Sequence, residues 1–173
     1  MYKIAIAGAS SLLGRELKEC LSESPLASAT FALVDEEEAQ GQIDQAFAMQ
    51  QEDKPYSMVM MQVTLRNIGE KPLFVKEIKA SIVTDQGEST DDAASAVDYG
   101  RYLQAFPDLQ MYASEPLKVE TKIPPGGETK GSVLVAFPIT KDQFYARKDL
   151  TVTVFPYDQR PIVLHEKGAT PAK

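Results

Sequence analysis

The stretch Gly8-Ala9-Ser10-Ser11-Leu12-Leu13-Gly14 is the part of this chain whose residue types and spacing suggest ligand chemistry most directly. A glycine at its first position permits a tight turn, and the amides that follow face a phosphate together with the start of a helix. A glycine at its last position lets helix and strand approach closely. Serine stands where the middle glycine of such a loop is usual. Asp35 follows about 20 residues after Gly14, where a carboxylate accepts from ribose hydroxyls and repels a 2′-phosphate, favouring NAD over NADP.

Other chemical candidates are sparse. Cys20 is the single cysteine, which excludes an internal disulfide, and with one histidine, His165, no zinc-type ligand set can be assembled. Cys20 recurs with Leu13, Leu17 and Leu21 at helical spacing, so it reads as a buried, unreactive hydrophobe. His165 reads as a strand residue. Asp85, Asp91 and Asp92 lack the spacing of a calcium loop and read as a solvated acidic loop. A net charge of -7 disfavours nucleic acid and anionic membrane surfaces. No run approaches the ~20 apolar residues that span a bilayer, and the apolar run after Lys3 is broken at Gly8, too early for a secretory signal. The expectation is a cytoplasmic product as written, or an envelope-associated one if this N-terminus is not the native one.

The elements that would hold the loop are a βαβ series. Tyr2 to Ala7 is a nearly continuous apolar run suited to a buried parallel strand. Ser10 or Ser11 caps a helix starting near Leu12, which stops around Ser24-Pro25, and Thr30 to Val34 is a second apolar strand. The whole stretch IAIAGASSLLGRELKECL resembles the opening of the aspartate-semialdehyde dehydrogenase family, including Gly-Arg-Glu-Leu entering the first helix. That resemblance covers about residues 2–43 and implies a loop cradling cofactor phosphates, with Gly8, Ser10, Ser11, Leu12 and Gly14 inheriting the role and Asp35 as the ribose acceptor. The family's catalytic domain, with its cysteine nucleophile and later histidine, has no counterpart, so no enzyme is expected and NAD is the only cofactor suggested.

Past Gly41 the texture changes. Residues 44–56 are rich in Gln, Glu and Asp and contain Lys54-Pro55, which reads as a connector. From Ser57 the period becomes two. Val59, Met61, Val63 and Leu65 alternate with Met60, Gln62, Thr64 and Arg66, then Asn67 to Pro72 makes a turn and Ile78, Ala80 and Ile82 continue to a second turn at Asp85-Gln-Gly87. Residues 88–115 interrupt the rhythm. There Val97, Arg101, Tyr102, Ala105 and Phe106 share one side of a short helix, near residues 97–106, that Pro107 follows. Tyr99, Tyr102, Phe106 and Tyr112 give this insertion an aromatic face, available either to a partner or to cap the end of the fold. Strands resume at residues 117–123 and 131–137. Thr140 caps a short helix around Phe144, and strands at Asp149 to Tyr157 and Pro161 to His165 precede a frayed tail at residues 167–173.

About seven short strands between Pro, Gly and Asn turns fit an immunoglobulin-like sandwich lacking the disulfide and core tryptophan. The segments VTLRNIGEKPLFVKEI and IPPGGETKGSVLVAFP resemble small bacterial domains that share a V-x-L-x-N-x-G-x-x-P opening and a late I-x-P-G turn. Over about residues 57–166 this implies a binding, spacing or envelope-associated module. The expected class is thus α+β, an immunoglobulin-like antiparallel β-sandwich over residues 57–166 preceded by a partial Rossmann-type βαβ unit over residues 1–43. The expected function is a non-catalytic interaction module for a protein or peptide, with a vestigial nucleotide loop. The alternative is an NAD(P)-binding truncated relative of the dehydrogenases.

Overall fold

The computed structural model describes residues 3–7, 12–25, 30–34, 38–50, 54, 56–157 and 159–168. The chain divides into two compact units, Met1–Glu37 and Glu38–Lys173.

The first unit contains β1 (Lys3–Ala7), α1 (Leu12–Ser22) and β2 (Thr30–Val34). β1 and β2 run parallel, from Lys3 opposite Thr30 to Ala7 opposite Val34. The Ser22 and Ser24 hydroxyls donate to the carbonyls of Glu19 and Leu21 and close the last turn of α1 before Pro25. A dinucleotide-binding sheet needs further parallel strands and helices on both faces. Among the described residues this unit has one strand pair and one helix, which does not support a Rossmann-type assignment. The expected burial of Cys20 is also corrected: Cys20 is exposed and Leu17 is 49% exposed, because two short strands offer too little surface to cover an 11-residue helix.

The second unit is mostly β. Its strands are β3 (Ala39–Gln50), β4 (Ser57–Asn67), β5 (Leu73–Thr84), β6 (Gly87–Asp92), β7 (Lys122–Ile123), β8 (Glu128–Phe137), β9 (Asp149–Pro156) and β10 (Ile162–Glu166). Between β6 and β7 lie α2 (Ala96–Ala105) and a 3₁₀ segment, Pro107–Tyr112, and α3 (Lys141–Tyr145) joins β8 to β9. The 8-stranded sheet runs β6-β5-β9-β10-β3-β4-β8, with β7 attached to β5. It curls so that both limbs face one apolar interior. Val59, Val63 and Leu65 of β4, Ile78, Ala80 and Ile82 of β5, and Leu150, Val152 and Val154 of β9 meet there with Phe137, Phe144 and Leu164. Burying each large side chain contributes about 1.5–3 kcal/mol, and the strict alternation along β9 supplies every second one.

The pivot of the curl is β3. Its first half is flanked on both sides, antiparallel to β4 and parallel to β10 at Gln42 and Ile43. A bulge between Ile43 and Gln45 then breaks the register, and such bulges bend a strand and increase its twist. Gly41 sits between the β4 backbone and the Leu164 side chain: a Cβ there would lie 2.3 Å from the Thr64 carbonyl oxygen and 2.7 Å from a Leu164 methyl.

Three expectations change here. Residues 44–56 are not simply a connector, since β3 runs to Gln50 and pairs with β4 as far as Ser57; the break between units falls at Glu37, not residue 43. The buried apolar positions of β3 are widely spaced, at Ala39, Ile43 and Ala48, and the bulge spoils their period of two. Asp91 and Asp92 lie in a strand, β6, not a loop, with Asp92 paired to Lys79 at 3.3 Å and Asp85 to Lys148 at 2.8 Å. The strand expected over residues 117–123 shrinks to β7, because Glu120 adopts φ 65° and turns the chain just before it.

The sequence motif around Asn67 also acquires a physical meaning. Its side chain is fully buried, donates to the carbonyls of Lys71 and Ile123 at 2.7 and 3.0 Å, and accepts from the Gly69 amide. Its backbone exchanges bonds with Gly126 and Gly127. One asparagine therefore locks the early Asn-x-Gly turn to the late Pro-Gly turn.

Candidate interaction site

β3 changes character after its bulge. The Lys167 amide donates to the Ile43 carbonyl at 2.9 Å, and Gly168, at φ 86°, supplies a backbone conformation that turns the chain there. The Arg147 guanidinium forms a two-pronged ion pair with Glu166 and fixes the end of β10. From Gln45 to Gln50, β4 is the only strand partner of β3 among the described residues. Among the described residues, the other side of this segment is a sheet edge.

Asp44 occupies the bulge itself. Its carboxylate accepts from Thr64 Oγ1 at 2.5 Å and Gln42 Nε2 at 2.6 Å. Burial works to raise its pKa, but those bonds and the charges of Lys130 and Lys167 outweigh it and hold the carboxyl below its ordinary value.

Alongside the edge runs an open groove of about 420 Å³. Phe47, Ala48, Met49 and Gln50 form its floor, Asp108, Met111 and Tyr112 one wall, and Lys141 and Tyr145 the other. Side chains alternate between faces along a strand, so a groove touching four consecutive residues reaches the strand from its edge. Tyr112 stacks on Phe47 with ring centroids 3.9 Å apart at 20°, a contact worth about 0.5–1.5 kcal/mol. Met111 and Tyr145 are 75% and 58% exposed, leaving apolar surface on both walls.

Each wall is firmly held. The first rests on an outer apolar cluster, where Tyr99 and Leu109 pack on Met58, Met60 and Leu134. The Tyr99 hydroxyl donates to the Ser114 carbonyl at 2.8 Å, and its pKa is pushed up by burial against the opposing hydrogen bonds of Ser132 and Ser114. The Ser132 hydroxyl accepts from the Ser114 amide and from Gln62 Nε2, both at 2.8 Å, and Gln62 also bonds the Tyr112 carbonyl. For the second wall, Thr140 and Gln143 form a reciprocal capping box at the start of α3. Phe144 anchors that helix in the inner core under the Arg147 guanidinium, 4.2 Å from its ring centroid. The Lys141 amide donates to Gln50 Oε1 at 2.8 Å, tying α3 to the end of β3.

Of the four aromatic residues read either as partner contacts or as a cap on the end of the fold, Tyr112 lines this groove. Tyr99 is buried beneath the insertion, Phe106 packs partly buried on the same cluster, and Tyr102 is 36% exposed. Of the expected cofactor residues, Gly8, Ser10, Ser11 and Asp35 lie outside the described residues, while Leu12 opens α1 and Gly14 lies within it. His165 is on β10, with Nδ1 3.9 Å from an Asp149 carboxylate oxygen. Phe47, Met49, Met111 and Tyr145 went unread as site residues. Phe47 and Met49, standing together in a polar stretch, were the available signal.

A family model described as "Domain of unknown function (DUF4352)" matches residues 27–152. No curated protein matches the chain. Among solved structures, an X-ray structure of a Northeast Structural Genomics Consortium target is 12% identical, with 79% of this chain and 92% of that one covered and a TM-score of 0.40. A conserved hypothetical protein from Bacillus anthracis is 9% identical over 75% of this chain and 99% of that one, with a TM-score of 0.34. The putative ApaA protein from Bordetella pertussis is 10% identical over 75% and 88%, with a TM-score of 0.36.

Proposed function

The chain belongs to the DUF4352 family, and on that premise we propose that it is a non-catalytic interaction module built on an immunoglobulin-like sandwich. The strand pairing supports the sandwich reading: β4 and β8 form one limb, β5, β6, β9 and β10 the other, and β3 bridges them by running antiparallel to β4 and parallel to β10. Such sandwiches serve many unrelated tasks, so the site has to carry the function.

The groove beside Gln45–Gln50 is that site. It combines a sheet edge with exposed apolar side chains on rigidly held walls, the arrangement through which sheet proteins recognise other chains. Selection of a random peptide display library on the immobilised full chain tests the reading. Enriched binders that lose at least tenfold in affinity on Met111→Glu or Tyr145→Ala, both at exposed positions, are the expected result. A library that yields no enrichment over the bare support would sink it.

A second reading, that residues of the first unit hold NAD(H), draws support from the parallel pairing of β1 and β2 around α1. Titration of the full chain with NADH decides it: fluorescence change or thermal stabilisation that saturates and disappears in Gly8→Asp supports the reading, and no response at millimolar cofactor removes it.

A further inference from the structure

Resting on the interaction-module reading, we propose that the groove takes an extended peptide that adds to the sheet as a new strand beside Gln45–Gln50. The floor makes this occupant specific. A sheet edge presents a row of backbone donors and acceptors at strand spacing, and another extended backbone is the chemistry that satisfies such a row.

The edge has a definite beginning. β10 covers β3 only as far as Ile43, and the bulge at Asp44 re-aims the strand where that cover stops. The walls then select what can lie on it. Met111 and Tyr112 flank one side and Tyr145 the other, so a strand laid between them presents alternate side chains to apolar surface on opposite walls. Asp108 stands on the first wall and Lys141 on the second. This charge pattern favours a peptide with large apolar residues at alternate positions, a basic group towards Asp108 and an acidic group towards Lys141. A folded second copy fits less well, because edge-to-edge pairing of β3 with itself would bring a second set of walls beside the first. A single isolated strand carries none.

The experiment uses the full chain and the tightest peptide from the display selection, resynthesised in two forms N-methylated at alternate backbone nitrogens, odd positions in one and even in the other. Strand addition requires that those amides of Gln45–Gln50 that point away from β4 slow in hydrogen exchange on binding. It also requires that one methylated form lose at least tenfold in affinity while the other retains it, since alternate amides of an added strand face the sheet or solvent. Lys141→Glu should reduce affinity for peptides with an acidic group at the corresponding end.

Slowed exchange confined to Gln45–Gln50, with that methylation asymmetry, supports strand addition. Binding that leaves those amides unprotected, or that both methylated forms preserve, overturns it while leaving the interaction-module reading intact. Failure to enrich any peptide overturns both. Concentration-dependent dimerisation that protects Gln45–Gln50 without peptide overturns the peptide as occupant and assigns the edge to a second copy.

Discussion

β4 presents each of its two faces to a different apolar cluster. Val59, Val63 and Leu65 point inward with Ile78, Val152, Val154 and Phe137, whereas Met58 and Met60 point outward beneath Tyr99 and Leu109. The inner cluster is made mainly of branched aliphatic side chains contributed by strands and closed by Phe137 and Phe144. The outer one is made of flexible methionines and hydroxyl-bearing tyrosines, contributed by a strand face and an insertion laid over it. Branched residues have few rotamers and specify one packing, while methionine fills irregular gaps and tolerates change. The inner cluster is thus a framework, and the outer one positions a wall of the groove. Damage to the first should be global, and damage to the second should be local.

The largest effect is expected from Phe137→Ala, which empties a fully buried site in the inner cluster and should cost about 3–5 kcal/mol. Urea unfolding followed by far-ultraviolet circular dichroism reads it as a shifted midpoint of one cooperative transition. Leu109→Ala in the outer cluster should cost less, about 2 kcal/mol, at the low end for such truncations. Its signature is faster hydrogen exchange confined to residues 96–114; equal acceleration across β5 and β9 would erase the distinction between framework and wall.

Asn67→Ala tests whether the rim of the framework depends on one side chain. It leaves the Ile123 and Lys71 carbonyls and the Gly69 amide without that partner, at about 1–3 kcal/mol per group left buried and unsatisfied. A measured change under about 0.5 kcal/mol would mean the two turns hold each other without it. Tyr99→Phe removes the hydroxyl's bond to the Ser114 carbonyl together with its contacts to Met60 Sδ and Ser132 and should cost about 0.5–1.5 kcal/mol, with easier proteolysis after Tyr112 as its local mark.

The smallest effect is the pH response of Asp44. Its folded pKa lies below the unfolded value of 3.8, so its stabilising contribution is complete above that value and is lost as pH falls through the depressed folded pKa. Unfolding measured below about pH 4 should therefore show a shallower acid loss in Asp44→Asn than in the parent chain. Identical slopes would remove Asp44 as a pin of the bulge.

Much of the framework was legible in the sequence because alternation is a local property. β4 and β9 place an apolar residue at every second position over most of their length, as do β5 from Ile78 to Ile82 and β8 from Val133 to Phe137, and a strand covered on at least one face needs no distant information to declare itself. Thr140 and Gln143 announce α3, since a capping box closes within one turn. The insertion helix was equally readable from Val97 to Phe106. The stretch of β3 after Gly41 was not, because its polar residues and bulge imitate a connector.

Sequence alone determined the alternating strands, the Asn67 and Pro124 turns, the capped α3 and, with a single cysteine, the exclusion of an internal disulfide. Tertiary structure decided that Asn67 joins the two turns, that Tyr99 is buried while Tyr112 lines a groove, that Cys20 is exposed, and that β3 is half flanked and half edge. The physical reason is range. Patterning and capping depend on residues a few positions apart, whereas an edge exists only because another strand, β10, stops at Ile43, more than one hundred residues away along the chain.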